Sequence, residues 1–218
     1  MEYGALFDWD GVVIDSSEQH ERSWEMLAEE IGKPLPEDHF VRGFGMKNQF
    51  IIPNILQWTN DPDEVHGQSL RKEELYREII AAEGISPLPG VVDLLRMLNE
   101  HGVPCAVGSS THRINIEVIF DAIGVRDYFQ AIVTAEDVDH GKPHPDVFLK
   151  SAEKIGRSPK NCVVFEDAHV GIEAGLAAGA KVIAVATTNE IGELDKANVA
   201  VETLEEVDWP LFSSLFRQ

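Results

Sequence analysis

Two aspartates, Asp8 and Asp10, follow the first apolar run of the chain, residues 3–7. An apolar run that ends in a carboxylate-rich turn is typical of a buried strand leading into a loop. Side chains two positions apart on an extended backbone point to the same side, so one carboxylate could attack an electrophile while the other moves a proton. Taken alone, the motif is also compatible with a turn whose aspartates cap a helix.

Three later apolar runs, residues 104–108, 131–134 and 162–165, are also followed by polar side chains. The polar residues, in chain order, are Ser109, Ser110, Thr111, Lys142, Glu166 and Asp167. Because the carboxyl ends of parallel strands meet at one edge of a sheet, these side chains are expected to lie together with the two aspartates. Each has an ordinary explanation by itself, as a solvated turn lysine or as a cap of the following helix.

Acids gathered at one edge of a sheet require a cation, because two like charges about 4 Å apart repel by roughly 4 kcal/mol at an effective dielectric constant of about 20. All the candidate ligands are oxygens, which favours octahedral Mg²⁺ over zinc. Such an ion usually binds substrate phosphate, and Lys142 and the Ser109 hydroxyl could hold the same anion. The expected chemistry is transfer of a phosphoryl group to Asp8. Asp10 would protonate the leaving alcohol and then accept a proton from the next nucleophile.

The segments that must position these residues alternate between strands and helices. Strands are predicted at residues 3–7, 104–108, 131–134, 162–165 and 181–186, with a possible edge strand at 198–201. Helical periodicity is found at residues 91–100, 114–123, 145–155, 170–178 and 209–216. Doubly apolar strands alternating with helices indicate an α/β fold with a parallel sheet. Several helices are expected to end at a glycine in the left-handed conformation: Gly102, Gly124, Gly156 and Gly179.

Residues 17–86 interrupt this alternation and are called the helical insert below. They show helical periodicity at 18–31, 47–58 and 63–83 and no convincing strand. The expected organisation is a catalytic core of residues 1–16 and 87–218 with a helical cap domain of residues 17–86. Two linkers crossing between the same two bodies make a hinge, and the cleft between them is a preferred place for a small-molecule site.

The composition restricts the partners of the chain. Its 218 residues include 18 Lys plus Arg against 38 Asp plus Glu, a formal net charge of −20. That field repels nucleic acid and anionic membranes. The amino terminus lacks the pattern of a leader peptide, and no apolar run approaches the roughly 18–20 residues that span a bilayer, so a cytoplasmic location is expected. Cys105 and Cys162 lie in apolar runs and are expected to be buried reduced thiols without a function.

The motifs resemble those of the haloacid dehalogenase-like superfamily of phosphotransferases. Residues 7–16 are similar to its first motif, 107–110 to the second, 141–146 to the third and 164–168 to the fourth. The resemblance covers nearly the whole chain and implies a Rossmann-like α/β core with an inserted all-helical cap of the C1 type. It also implies Mg²⁺ as the cofactor.

The resemblance further implies a role for each motif residue. Asp8 would be the nucleophile and Asp10 the general acid and base. Ser109 would donate a hydrogen bond to the transferring phosphoryl group, and Lys142 would balance charge between Asp8 and phosphate. The implied metal ligands are Asp8, Asp10 through its backbone carbonyl, Asp167 and, beside it, Glu166.

The helical insert resembles that of members similar to β-phosphoglucomutase, in which a histidine at the position of His20 faces the cleft. Lys72 matches a lysine in the insert of the same members. Residues 42–48 form a basic loop with glycines that could close over substrate or simply connect two helices. His20 could equally be an ordinary helix histidine. The expected substrate-binding residues are His20, Arg42, Lys47, Lys72, Ser110 and Arg113, the last because its guanidinium matches phosphate oxygens.

These features predict a Mg²⁺-dependent phosphatase that hydrolyses a small sugar- or polyol-like phosphomonoester through an aspartyl phosphate. The alternative is β-phosphoglucomutase-type transfer between sugar hydroxyls. The resemblance to the mutases leads us to expect an arginine soon after a glycine of the loop at residues 42–48. This arginine is missing, because Gly45, Met46 and Lys47 occupy that part of the loop. A third hypothesis is a non-catalytic sensor of phosphorylated metabolites. The expected partner is a small phosphorylated metabolite, with neither nucleic acid nor membrane, and the chain is expected to be a monomer or a weak homo-oligomer.

Overall fold

A parallel sheet lies at the centre of the computed structural model, which describes residues 2–43 and 46–217. Its strands are β1 (Gly4–Phe7), β2 (Cys105–Gly108), β3 (Phe129–Val133), β4 (Cys162–Glu166), β5 (Lys181–Val185) and β6 (Val199–Val201). They are arranged in the order β3-β2-β1-β4-β5-β6, and every neighbouring pair is parallel. The prediction of an α/β fold with a parallel sheet is confirmed.

The first strand occupies the place that matters for a binding site. β1 pairs with β2 on one side and β4 on the other. The chain therefore adds β2 and β3 on one side of β1 and then β4, β5 and β6 on the other. Loops diverge at such a switch point and leave a crevice beyond the carboxyl ends of the strands. Asp8 enters this crevice directly after β1, and its backbone N–H donates to the carbonyl of Phe165 at 3.0 Å.

Helices cover both faces of the sheet. They are α5 (Val91–Glu100), α6 (Arg113–Ile123), α7 (Asp146–Lys154), α8 (His169–Ala177) and α9 (Trp209–Ser214). Successive residues of β1 are fully buried on opposite faces of the sheet, with Phe7 in one apolar cluster and Leu6 in the other. The ring of Phe7 stacks on that of Phe165 with centroids 4.5 Å apart. Burial on both faces explains why these strands are apolar throughout.

The glycines predicted to end helices adopt the left-handed conformation. Gly124 has a φ of 69° and its N–H donates to the carbonyl of Phe120 at the end of α6. The other three also have positive φ angles: Gly102, Gly156 and Gly179. Both cysteines are buried free thiols, as expected, and burial raises the pKa of the Cys105 thiol to about 12.

The regular structure of the helical insert consists of helices in its described residues. They are α1 (Ser17–Ile31), α2 (His39–Gly43), α3 (Asn48–Phe50), a π-helical turn (Ile51–Leu56) and α4 (Pro62–Glu83). They share an apolar core that includes Trp24, Leu27 and Leu75. The side chain of Asp61 caps α4 by accepting from the N–H groups of residues 63 and 64.

The helical periodicity predicted at residues 47–58 corresponds to helical backbone from Asn48 to Leu56, but this segment is not one α-helix. The segment divides into α3 and the π-helical turn, and it ends at Gln57, whose φ is 54°. Pro53 lies inside this turn and has no N–H with which to bond the carbonyl four residues earlier, so the backbone departs from α-helical spacing.

The chain leaves for the helical insert and returns from it at one place. Ile14 and Pro87 form an antiparallel bridge, and the N–H of Leu88 donates to the carbonyl of Val13 at 2.9 Å. In the part of the chain that the structure describes, no helix combines the length and the apolar character needed to cross a bilayer.

Candidate active site

Three buried carboxylates meet at the carboxyl ends of β1 and β4. One oxygen from each of Asp8, Glu166 and Asp167 lies within 4.8 Å of the others. The ammonium nitrogen of Lys142 lies 2.8 Å from Oδ1 of Asp8 and 2.6 Å from Oε1 of Glu166. Lys142 is itself buried, and burial disfavours its charge, but the two carboxylates outweigh that effect and raise the pKa of its ammonium. The structure therefore brings together the predicted lysine and these three predicted acids.

The carboxylate of Glu166 already has partners on both oxygens. Oε1 accepts from Lys142 at 2.6 Å, and Oε2 accepts from the N–H groups of Asp167 and Ala168 at 2.8 and 2.9 Å. A Cβ on Gly171 would lie 1.6 Å from Oε1, so this position of α8 has no room for a side chain. These contacts fix the turn after β4 and the lysine. The helix α8 begins beyond both acids and has no side-chain cap, so neither acid is its cap.

Asp167 presents one oxygen that no described protein group satisfies. Its Oδ1 is buried without a hydrogen-bond partner, whereas Oδ2 accepts from the hydroxyl of Thr188. The amide of Asn189 donates to its backbone carbonyl at 2.8 Å. The first loop passes so close that a Cβ on Gly11, whose φ is 80°, would lie 1.9 Å from Oδ2. Only glycine fits there.

The pKa values of the buried acids indicate that the cluster would favour a bound cation. Burial raises the pKa of Asp8 to about 7, and the attraction of Lys142 only partly offsets this effect. Burial, followed by repulsion from Glu166 and Asp8, raises the pKa of Asp167 well above its usual range. A bound cation would reverse both shifts. The unsatisfied oxygen of Asp167 and a donor set made only of oxygens fit Mg²⁺.

Asp10 is held by three side chains from three segments. Its Oδ1 accepts from the hydroxyl of Ser16, its Oδ2 accepts from that of Thr111, and Nε2 of His20 lies 3.3 Å from Oδ1. Burial alone would raise the pKa of this carboxyl, but the interaction with His20 and the hydrogen bonds outweigh burial and lower the pKa to about 2. Asp10 is therefore ionised in this structure, the form that accepts a proton.

His20 and Lys72 both line the cavity that contains Asp8 and Asp10. The imidazole stacks on the ring of Tyr76 with centroids 4.1 Å apart, and the Lys72 ammonium contacts its Nδ1. That ammonium also lies 3.2 Å from Oε1 of Glu73 and 5.4 Å from the centroid of Trp24. Because the ammonium donates to Nδ1, the proton of a neutral imidazole is on Nε2 and points to Asp10.

Ser109 follows β2, and its hydrogen bonds are made with its own loop and with β3. It is buried; its hydroxyl oxygen accepts from the N–H of Thr111 at 3.0 Å, and its N–H donates to the carbonyl of Val133. The helix α6 begins at Arg113 and has no side-chain cap, so Ser109 does not cap it. Ser109 and Ser110 both line the cavity that contains Asp8.

The cavity has a volume of about 70 Å³ and is lined by both the core and the helical insert. Trp24, Met46 and Ile51 are among its apolar residues, and Asn48 and Glu73 are among its polar ones. The carboxylate of Glu73 accepts from the amide of Asn48 at 2.6 Å and from that of Asn115 in α6. Burial would raise the pKa of Glu73, but the attraction of Lys72 is chief among the effects that lower it to about 2.

Three predicted substrate-binding residues contact other parts of the protein instead. Lys47 donates to the carbonyls of residues 135 and 138 in the core, at 2.9 and 2.8 Å. Arg113 pairs with Asp137 at 2.6 Å. Arg42 lies 3.4 Å from Asp38 and lines a neighbouring groove rather than the cavity. In this structure the three basic side chains are occupied by protein acceptors, and their contact with substrate stays a prediction. The loop residues Phe44 and Gly45 lie outside the described residues.

Four residues around the site had no role in the sequence prediction. Thr188 donates to the carboxylate of Asp167, and Asn48, Glu73 and Asn115 connect the helical insert to the core. Ser16 and Thr111, which donate to Asp10, lie in or beside the predicted motifs, but their contacts with this carboxylate were not predicted. Glu73 had one available signal, because a carboxylate adjacent to Lys72 can pair with it.

Comparison with known proteins decides the family. The model of the family described as haloacid dehalogenase-like hydrolase matches residues 4–179. The chain belongs to this family. Its sheet order, its helical insert and its four acids fit that membership, and it resembles the branch of the family that contains β-phosphoglucomutase.

Three proteins similar to this haloacid dehalogenase-like chain are two phosphatases and a phosphoglucomutase. A chloroplastic 5-amino-6-(5-phospho-D-ribitylamino)uracil phosphatase of Arabidopsis thaliana is 35% identical over 207 residues, which cover 94% of this chain and 55% of that protein. Hexitol phosphatase A of Escherichia coli is 33% identical, covering 94% of this chain and 92% of that protein. The crystal structure of β-phosphoglucomutase from Clostridium difficile has a TM-score of 0.87 at 25% identity, and the match covers 99% of this chain and 97% of that one.

Proposed function

We propose that this haloacid dehalogenase-like hydrolase is a Mg²⁺-dependent phosphatase of small polyol or sugar phosphates, acting through a phosphorylated Asp8. The observation that supports it most strongly is the buried contact of Asp8 with Lys142 next to an ionised Asp10 in one cavity. Asp8 and Asp167 through their carboxylates, and Asp10 through its backbone carbonyl, would hold the ion. When bound, Mg²⁺ supplies positive charge against the phosphoryl oxygens.

The chain's own residues carry the two steps. A carboxylate oxygen of Asp8 attacks phosphorus, the bond from phosphorus to the ester oxygen breaks, and the leaving alkoxide takes a proton from Asp10. Asp10 is ionised in the substrate-free protein, so this step requires that its carboxylate take up a proton as the substrate binds; His20, 3.3 Å away, is the hydrogen-bonding partner of that carboxyl group. Water then attacks the phosphorus of the acyl phosphate, Asp10 accepts the proton of that water, and inorganic phosphate and free Asp8 are released.

Lys142 and Ser109 prepare the phosphoryl group for this transfer. The ammonium of Lys142 keeps Asp8 ionised beside an anionic substrate, and Glu166 keeps that ammonium in place. Ser109 is buried and lines the cavity that contains Asp8, and it would donate its hydroxyl hydrogen to a phosphoryl oxygen. Most of the catalytic effect comes from positioning and charge neutralisation, as expected for phosphoryl transfer.

The basic residues of the helical insert favour hydrolysis over a mutase. A mutase must hold the second phosphate of a bisphosphate while the intermediate turns round. Among the described residues lining the cavity, Lys72 is the only lysine or arginine from the insert, and it is paired with Glu73. Met46 lines the cavity near the position where the mutase arginine was expected. A phosphoglucomutase is the second candidate because of the similarity to the Clostridium difficile structure.

The polar lining supports a substrate rich in hydroxyl groups. His20, Asn48 and Glu73 offer donors and acceptors, and the carboxylate of Glu73 can accept from a hydroxyl. The names of the Escherichia coli and Arabidopsis relatives, a hexitol phosphatase and a ribitylamino-uracil phosphatase, both describe open-chain polyol phosphates. A cytoplasmic location and a monomeric or weakly oligomeric state remain predictions.

The deciding experiment measures two products with two substrates. We expect the purified chain to release inorganic phosphate from a hexitol phosphate with Mg²⁺ and to release none after chelation. With β-glucose 1-phosphate, formation of glucose 6-phosphate without phosphate release would establish the mutase instead.

Asp8→Asn should abolish turnover and retain the circular dichroism spectrum of the folded protein, whereas the exposed control Asp195→Asn should leave turnover unchanged. Absence of both products from a panel of phosphate esters would favour the sensor hypothesis.

A further inference from the structure

Two histidines and an aspartate form a second cluster of metal-ligating groups, outside the cavity. His140 and His144 lie in the loop between β3 and α7, and Asp146 is the first residue of α7. Nδ1 of His140 lies 3.0 Å from Oδ2 of Asp146, and Nδ1 of His144 lies 3.0 Å from Oδ1. One ligand atom from each residue lies within 4.8 Å of the others. The proposed phosphatase chemistry uses none of the three.

The spacing of these atoms matches the coordination of a small cation. Zinc binds imidazole nitrogen and carboxylate oxygen at about 2.0–2.2 Å, which places neighbouring ligands of a tetrahedral site roughly 3.3 Å apart. The two nitrogen-to-oxygen distances are 3.0 Å. The two imidazole rings lie side by side with centroids 4.5 Å apart. With one ligand atom from each residue within 4.8 Å of the others, the three side chains can converge on one ion.

The chemistry of the ligands separates this cluster from the proposed Mg²⁺ site. Imidazole nitrogen suits zinc, copper and nickel, whereas Mg²⁺ prefers an all-oxygen set. The side chains of His140 and His144 are 66% and 48% exposed, so an ion can enter from solvent and keep water as its fourth ligand. The formal net charge of −20 attracts cations to the whole surface.

We propose that His140, His144 and Asp146 form a surface binding site for a divalent transition-metal ion of the zinc class, distinct from the Mg²⁺ site. The site spans the loop that carries Lys142, because His140 and His144 stand two residues before and after it. A bound ion links both ends of this loop to the start of α7. It therefore restrains the segment from which the catalytic lysine extends.

Cobalt distinguishes the two sites by colour. Four-coordinate Co²⁺ with nitrogen ligands absorbs visible light strongly, and six-coordinate Co²⁺ with oxygen ligands absorbs weakly. We expect the full chain, titrated with Co²⁺ in excess Mg²⁺, to give the strong band with one equivalent of cobalt. His140→Ala and His144→Gln should each lose the band, and His66→Ala, an exposed histidine on α4, should keep it. Zinc added afterwards should displace cobalt and bleach the band.

Hydrogen exchange followed by mass spectrometry tests the effect on the loop. Zinc should slow exchange of the backbone amides of residues 139–146 in the wild-type chain and leave their exchange unchanged in His140→Ala. A weak six-coordinate spectrum in the wild type, a strong band that survives both histidine substitutions, or equal loss of the band in His66→Ala would each overturn the proposal. These measurements do not involve turnover. The proposal of a surface metal site can therefore be refuted while the phosphatase proposal stands, and the phosphatase proposal can be refuted while the metal site stands.

Discussion

The ammonium nitrogen of Lys142 lies 2.8 Å from Oδ1 of Asp8, and the two side chains are only 1% and 7% exposed. At this distance the lysine counteracts the burial that raises the pKa of Asp8 to about 7. The contact therefore favours the ionised form of Asp8 against the larger effect of burial. It also places a positive charge where an anionic substrate must approach an anionic carboxylate.

Replacing Lys142 with methionine should lower kcat by about 10²-fold or more, because an aligned cation is lost where charge develops. The pKa of Asp8 should rise further, so the remaining activity should increase toward higher pH. The measurement is the pH profile of phosphate release at saturating substrate. Lys150→Met is the matched control, since Lys150 donates to the backbone of Asp137. A kcat for Lys142→Met close to that of the wild type would refute this role.

Stability without divalent cations should fall as the pH rises from about 5 to about 8. The folded-state pKa of Asp8 is raised to about 7, and that of Asp167 is also raised, both chiefly by burial. A carboxyl whose pKa is higher in the folded than in the unfolded state binds more protons when folded, so stability is lost as these acids ionise. Mg²⁺ binds the ionised forms, and its stabilising effect should grow over the same range.

Thermal melting with a chelator and with Mg²⁺, at several pH values, measures this effect. Asp167→Asn should flatten the decline of Tm in chelator because one of the buried acids is removed. A Tm in chelator that stays level or rises between about pH 5 and 8 would contradict the prediction. The same series with Asp195→Asn, an exposed acid, should follow the wild type.

Lys72→Met should lower the free energy of unfolding by roughly 3 kcal/mol, because it leaves the buried carboxylate of Glu73 without its ammonium partner. Glu73→Gln in the same chain removes the unpaired charge, so the double variant should be more stable than the sum of the two single changes predicts. Urea unfolding of the four proteins gives the coupling energy. The exposed pair Lys196 and Glu173 is the control cycle, with an expected coupling of about 0–1 kcal/mol. Equal coupling in both cycles would argue against a buried ion pair.

Lys47→Met should weaken the attachment of the helical insert to the core, because Lys47 bonds two carbonyls across that boundary. We expect a higher KM and faster hydrogen exchange in residues 135–138. Lys33→Met is the matched control, since Lys33 donates to the carbonyl of Trp58 within the insert. An identical change in KM for both variants would show that the crossing contact has no special effect.

Thr188→Val should raise the Mg²⁺ concentration for half-maximal activity by about tenfold, because the Thr188 hydroxyl orients Oδ2 of Asp167. Maximal activity at saturating Mg²⁺ should change less than the Mg²⁺ requirement does. Thr187→Val changes the adjacent residue and should leave the requirement unaltered. Equal Mg²⁺ requirements in the wild type and Thr188→Val would remove Thr188 from the support of the metal site.

The sheet and the acid cluster followed from local sequence features. Doubly apolar strands specify a parallel sheet, and a parallel sheet places the residues after each strand at one edge, so Asp8, Lys142 and Asp167 could be expected together. The splitting of the helix predicted at 47–58 also had a local cause in Pro53, which the periodicity alone did not reveal.

Contacts that depend on how elements pack could not be predicted in the same way. The hydroxyl of Thr188 reaches Asp167 because β4 and β5 are neighbours in register, and no spacing in the sequence encodes that distance. Lys47 and Arg113 are predicted to contact substrate because of their charge. Each also reaches carbonyl or carboxylate oxygens in the turn at residues 135–138, and these contacts could not be predicted because the position of the turn depends on the folded core.

The bridge between Ile14 and Pro87 sets the departing and returning strands of the chain side by side. A segment with adjacent ends can be shortened, lengthened or exchanged without stretching the scaffold that supports it. A change in the length of the inserted segment therefore need not displace the sheet edge from which Asp8 extends.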